Sequence, residues 1–135
     1  MTRRVSTDLA AIRYRVKGLE AKSIVDVMAD TIQVPAALIM HLRGDSIEVL
    51  GSSHTSENPY TPGHSELVWN SGLYCERVFR TGAPLLVNNA LLDAEWNDNP
   101  DVKLRMISYL GLPISWPGQE PFGTICVLGQ PRKRV

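Results

Sequence analysis

Cysteine is scarce in this chain: Cys75 and Cys126 are the only two, too few and too far apart in sequence to read as a disulfide scaffold or a zinc site. Net charge is absent as well, because 14 basic and 14 acidic residues cancel. No overall field therefore draws the protein onto nucleic acid or an anionic membrane, and neither is expected as a partner. Long apolar runs are missing: the longest is broken by His41 and Arg43, well short of the roughly 18 to 20 residues a spanning helix needs. The first residues lack the apolar stretch of a secretory signal, which predicts a cytoplasmic protein. Neither a Gly-rich phosphate loop after a strand nor a nucleophile-elbow setting for Ser52, Ser53 or Ser65 is present, so hydrolase and nucleotide-hydrolysing chemistry has no support. His41, His54 and His64 are the only histidines, and their scatter gives no metal or haem signature. Repeats and low-complexity tracts are also missing.

What is present is a 44% apolar composition over 135 residues, enough to close the core of a single domain spanning 1–135. From Ser6 to Ile32 apolar residues recur at helical spacing: Leu9, Ile12, Val16 and Leu19, then Ile24, Val27, Met28 and Ile32. Gly18 falls inside the pattern, which reads as two helical segments meeting near 18–22 or as one helix bent there. Residues Ala36–Leu42 and Ile47–Gly51, separated by Gly44 and Asp45, read as a β-hairpin. Ser52 to Ser65 reads as a long surface loop. A helix is expected over Leu67–Arg80, capped by Gly82, then a short strand over Ala83–Val87 and an irregular stretch around Trp96. Asn99, Pro100 and Asp101 carry the signals of a helix start: a side-chain cap, a fixed φ and a negative charge at the positive end of the dipole. That helix is expected to reach about Ile107. Tyr109–Ser115 and Phe122–Leu128 read as two strands joined by a type II turn at Pro117 and Gly118. Apolar groups on both faces of these strands imply a sheet covered on both sides.

Leu73 to Leu128 reads LYCERVFRTGAPLLVNNALLDAEWNDNPDVKLRMISYLGLPISWPGQEPFGTICVL, and this stretch resembles the second half of bacterial GAF domains. Four elements carry the likeness in order: RTGAPLLV, NNALLDAEWNDNP, SYLGLPI and WPGQEPFGTICVL. The resemblance implies an α+β fold, with a central mainly antiparallel sheet, helices on one face, and a loop and short-helix cap over a ligand pocket on the other. It divides the chain into a helical extension at 1–19, serving as a dimer or linker helix, and a GAF core at 20–130. The function implied is small-molecule sensing in a bacterial signal-transduction protein such as a histidine kinase or diguanylate cyclase. An output domain in cis or in trans would read the signal, with a homodimer formed through the N-terminal helix. Relatives of this kind continue into a further helix where this sequence reaches Arg132–Val135, which implies a stand-alone or excised domain.

A concave apolar site with a few placed polar groups is the usual form of a ligand pocket. The expected lining is Tyr74, Val87, Asn88, Asn89, Trp96, Tyr109 and Gly111. Asn88 and Asn89 have an alternative use in making turns, and Trp96 as a plug in its loop. Cys75 lies beside Arg77, which would lower its pKa, whereas Cys126 in mid-strand reads as an inert core thiol. Neither neighbourhood resembles the cysteine motif of bilin-binding GAF domains, and the Asn-Lys and Phe pattern of the cyclic-nucleotide binders is missing. Free-methionine-sulfoxide reductases, the enzymatic form of the fold, place cysteines on the cap loops. Here 44–62 and 88–100 contain none, so a non-catalytic domain is expected. The alternative to a sensor is a ligand-free dimerisation or protein-interaction module built on the Leu9, Ile12, Val16 and Leu19 stripe.

Overall fold

The computed structural model describes residues 22–115, 119 and 121–131. The Leu9–Leu19 stripe, Arg132–Val135 and the Pro117–Gly118 turn lie outside these residues. A helix, α1, occupies 22–32, followed by strands β1 (Ala36–Arg43) and β2 (Ser46–Ser52), the expected hairpin, with Gly44 at φ 63° in its turn. Next come β3 (Ser65–Leu67), α2 (Tyr74–Thr81), β4 (Leu85–Val87), a one-turn 3-10 helix at Ala90–Leu92, α3 (Pro100–Lys103), β5 (Ser108–Ser115) and β6 (Pro121–Gly129). The six strands form one sheet in the order β3-β2-β1-β6-β5-β4, every neighbouring pair antiparallel.

Alternation along the strands divides two cores. One face carries Ala37, Ile39, Ile125 and Val127, against which α1 lays Val25 and Ala29, one turn apart. The opposite face carries Ala36, Leu38, Met40, Ile47, Val49, Tyr109, Cys126 and Leu128, and α2 packs over it through Tyr74, Cys75, Val78 and Phe79. The second helix thus belongs to the cap side, not to the face that α1 covers.

Two helices are shorter than their patterns suggest. The Leu67–Arg80 expectation is corrected: Leu67 ends β3, Asn70 turns at φ 63° and Gly72 at φ 81°, and the helix starts at Tyr74. The turn is held by the Glu76 carboxylate, which accepts from the backbone N–H of Asn70 and, at 3.1 Å, that of Gly72. Its other end follows the sequence signal, since Gly82 takes the left-handed conformation and its N–H bonds to the Val78 carbonyl at 2.8 Å. Likewise α3 begins at the expected Asn99 cap but does not reach Ile107. Arg105 turns at φ 66° and the Met106 N–H returns to the Asp101 carbonyl at 3.1 Å, which frees Ser108 onward to pair with β6.

Candidate functional site

Between the sheet and its cap lies a cavity of about 470 Å³. Its floor is apolar: Leu38 and Met40 of β1, Ile47 and Val49 of β2, and Leu128 of β6. Its rim and roof come from the loop after β2 (Pro59, Tyr60, Thr61 and His64), from Glu66 of β3, and from Pro100, Asp101, Lys103 and Leu104. Leu73, Cys75, Tyr109 and Cys126 close the inner wall.

The loop is ordered by one amide. The Asn58 side chain donates to the Ser52 hydroxyl at 2.7 Å and the Ser53 carbonyl at 2.8 Å, while its oxygen accepts the Tyr60 N–H at 2.9 Å. The Ser52 hydroxyl in turn donates to the Tyr60 carbonyl at 2.8 Å. Tyr60 is so placed that its hydroxyl donates to Asp101 at 2.7 Å, joining the loop to the cap across the cavity.

Asp101 sits one residue into α3 and is only 6% exposed. Burial raises its pKa from 3.8 to about 6, against the opposing hydrogen bonds from the Tyr60 hydroxyl and the Tyr74 backbone N–H. That N–H belongs to the first turn of α2, whose N-cap residue Leu73 offers no side-chain acceptor. Asp101 therefore serves a helix end remote in sequence as well as the loop. Burial, and then the adjoining carboxylate, push the Tyr60 phenol well above its ordinary value.

At the inner wall the Cys75 sulphur lies 3.3 Å from the Tyr109 hydroxyl and 3.3 Å from that of Thr124. Hydrogen bonding with the Cys126 thiol is the largest influence on Cys75 and lowers its pKa, whereas the same contact and burial raise that of Cys126. Arg77 plays no part in this. Its guanidinium pairs with Glu95 and lies 5.0 Å from the Trp96 ring centroid.

Of the residues expected to line a pocket, Tyr109 forms part of the cavity wall. Tyr74 stacks behind it at 4.6 Å and meets Trp96 at 5.3 Å, with the Tyr74 hydroxyl donating to the Met106 carbonyl at 3.0 Å. The buried Tyr74 and Trp96 rings thus support the wall from behind. Val87 joins the same core. Gly111 is covered by its own neighbour, since a Cβ there would meet the Tyr109 ring and hydroxyl. Asn88 is exposed, and Asn89 caps the 3-10 helix by accepting the Leu91 N–H at 3.1 Å. The cavity thus lies nearer β1 and β2 than the sequence suggested. Tyr60, Asp101 and the cysteine pair went unseen as wall residues. Asp101 was legible only as part of a helix start and Tyr60 only as part of a long loop, and nothing local links the two.

A GAF domain model matches residues 20–134, and the chain belongs to the GAF family. No curated protein matches it in sequence. Among solved structures it is similar to the GAF domain of an Acinetobacter phosphoenolpyruvate-protein phosphotransferase, with 19% identity and a TM-score of 0.65, covering 89% of this chain and 75% of that one. It is similar in fold to the NreA protein from Staphylococcus aureus, mutated in its nitrate binding site, with 14% identity, a TM-score of 0.65, and 89% and 92% covered. A type II free methionine-R-sulfoxide reductase from Thermoplasma acidophilum matches with 11% identity, a TM-score of 0.65, and 88% and 78% covered. At these identities the likeness is one of fold. Among the described residues no helix is long and apolar enough to cross a membrane.

Proposed function

We propose that this GAF domain is a non-catalytic small-molecule sensor of a bacterial signalling protein, whose ligand occupies the cavity between β1, β2, β6 and the cap. The carrying observation is the cavity itself: about 470 Å³, within the roughly 300–1,000 Å³ usual for small-molecule sites, apolar at its floor and polar only at a few points. The deepest charged side chain on its wall is the Asp101 carboxylate. That supports a ligand with an apolar body and a hydrogen-bond donor or positive charge, rather than an inorganic anion such as the nitrate named for NreA. Because Tyr60 and Asp101 join loop to cap, a ligand seated beneath them bears on both segments, and through Asp101 on the start of α2. Terminal helices would carry the change to an output domain. The cysteine-free cap segments support this reading over the reductase activity named for the Thermoplasma structure.

The test is a thermal-shift screen of the purified domain against amines, amino acids, nucleosides, small anions, haem and bilins. A ligand at 100 times its Kd stabilises by about 2.7 kcal/mol and moves the midpoint by on the order of 10 °C. The shift should vanish in Val49→Phe, which fills the floor while the protein remains folded. A flat screen, or a shift that Val49→Phe leaves unchanged, overturns the reading.

A second reading, an interaction module, draws on a different observation. Leu86, Leu110 and Leu112 on the α1 side of the sheet, together with Ile24 and Val27 of α1, are 41–65% exposed. Such a surface suits a second protein surface. A monomer at all concentrations by sedimentation, binding no partner domain, would remove it.

A further inference from the structure

We propose that Cys75 and Cys126 form a redox pair, which a small hydroperoxide entering the cavity oxidises to a disulfide joining α2 to β6. This goes beyond reversible ligand binding and needs no ligand, only access to the same cavity. Sequence separation made the two cysteines look unrelated; the fold puts them side by side. Both line the cavity wall, both are free and buried, and the Cys75 sulphur lies 3.3 Å from the hydroxyl of Thr124, which alternation on β6 places on the same face as Cys126, the next residue along that face.

The surroundings set an order of reaction. Two hydroxyls, those of Tyr109 and Thr124, stand 3.3 Å from the Cys75 sulphur, positioned to donate to a thiolate there. A thiolate, not a thiol, is the nucleophile. Among the residues lining the cavity, the apolar floor leaves a small uncharged oxidant a path to the wall. The Cys75 thiolate attacks one oxygen of the hydroperoxide, the O–O bond breaks, and the departing oxygen takes a proton and leaves as the alcohol, or as water from hydrogen peroxide. Cys75 is then a sulfenic acid. The Cys126 sulphur attacks it, giving up its proton; the S–S bond forms, and the displaced hydroxide leaves as water. In sum, two thiols and one hydroperoxide give one disulfide, one alcohol and one water, the two electrons coming from the sulphurs.

Forming the bond draws Cys75 away from Tyr109 and Thr124 and fixes α2 to the sheet at the inner wall. Since Tyr109 stacks on Tyr74 in the first turn of α2, the change reaches the helix start that Asp101 also holds. An oxidant signal would therefore act on the same element as a bound ligand.

The experiment treats the folded, reductant-free domain with hydrogen peroxide, counts thiols after unfolding, and maps the linked peptides. The expected result is loss of both thiols together in a protein that stays monomeric on a non-reducing gel. A single crosslinked peptide pair should contain residues 75 and 126, and dithiothreitol should restore both thiols. Cys126→Ser should stop at a Cys75 sulfenic acid trapped by dimedone. Retention of both thiols while added glutathione is consumed, or thiol loss without the 75–126 link, overturns the proposal; both are read on the native sequence and need no variant to fold. A failed ligand screen leaves this result standing. Ligand binding by a domain with inert thiols removes only the redox pair.

Discussion

Asp101→Asn tests the energetic centre of the cavity wall. The carboxyl is buried, and burial lifts its pKa from 3.8 in an ordinary setting to about 6 in the fold. One pH unit of displacement is worth about 1.4 kcal/mol, so ionising this group in the folded protein costs about 3 kcal/mol more than in the unfolded chain. The sign follows from proton counts. Between these two values the folded state holds the proton that the unfolded state has lost, so stability falls as pH rises from about 4 through 6, then levels off. Asparagine cannot ionise, and its carbonyl oxygen still accepts from Tyr60 or from the Tyr74 N–H. The variant should therefore gain on the native protein by about 3 kcal/mol between about pH 4 and pH 7.5, whatever its fixed offset. Glu76 titrates with the opposite sign: despite burial, the Asn70 N–H, then Arg80 and the Gly72 N–H, hold its pKa down. Its contribution is lost as pH falls, which is why the difference between the two proteins is the readout and not either slope. Urea unfolding followed by Trp fluorescence at several pH values supplies that difference. Parallel pH curves would refute the argument, as would a native protein that gains on the variant as pH rises; the latter would mean that the α2 N-terminus outweighs burial.

Gly111→Ala should destabilise by about 1–3 kcal/mol, because its methyl group forces Tyr109 off Cys75; an unchanged denaturation midpoint would show that the ring does not lie over Gly111. Asn99→Ala should cost about 2 kcal/mol, since Asn99 accepts the Asp101 N–H at 2.8 Å and donates to the Trp96 carbonyl at 2.6 Å in a buried setting. Asn99→Asp, which keeps the acceptor, should recover part of the lost melting temperature; no recovery would argue against the cap as the cause.

Local physics made much of the fold legible. The β1–β2 hairpin followed from Gly44 between two apolar runs, and Gly82 and Asn99 marked helix ends through steric freedom and side-chain hydrogen bonding, which depend on a few adjacent residues. Family likeness over 73–128 supplied the sheet and cap. Where long-range partners decided, local reading failed. Leu67 looked helical until pairing with Ser46 of β2 placed it in an edge strand, and α3 was cut short because Ile107 donates its N–H to the Gly129 carbonyl at 2.9 Å.

The candidate site divides along the same line. Sequence alone determined that the chain carries no net charge, no metal-binding pattern and no local nucleophile motif, and that Tyr109 and Gly111 share one face of their strand, because alternation on a strand is a local property. Only the tertiary structure decided that Tyr60 meets Asp101 across 41 residues, that Tyr74 and Trp96 brace the wall rather than form it, and that the Cys75 and Cys126 thiols adjoin. Each of these depends on register between strands and on the seat of α2 over them, fixed by summed packing across the whole sheet and written in no single stretch of sequence.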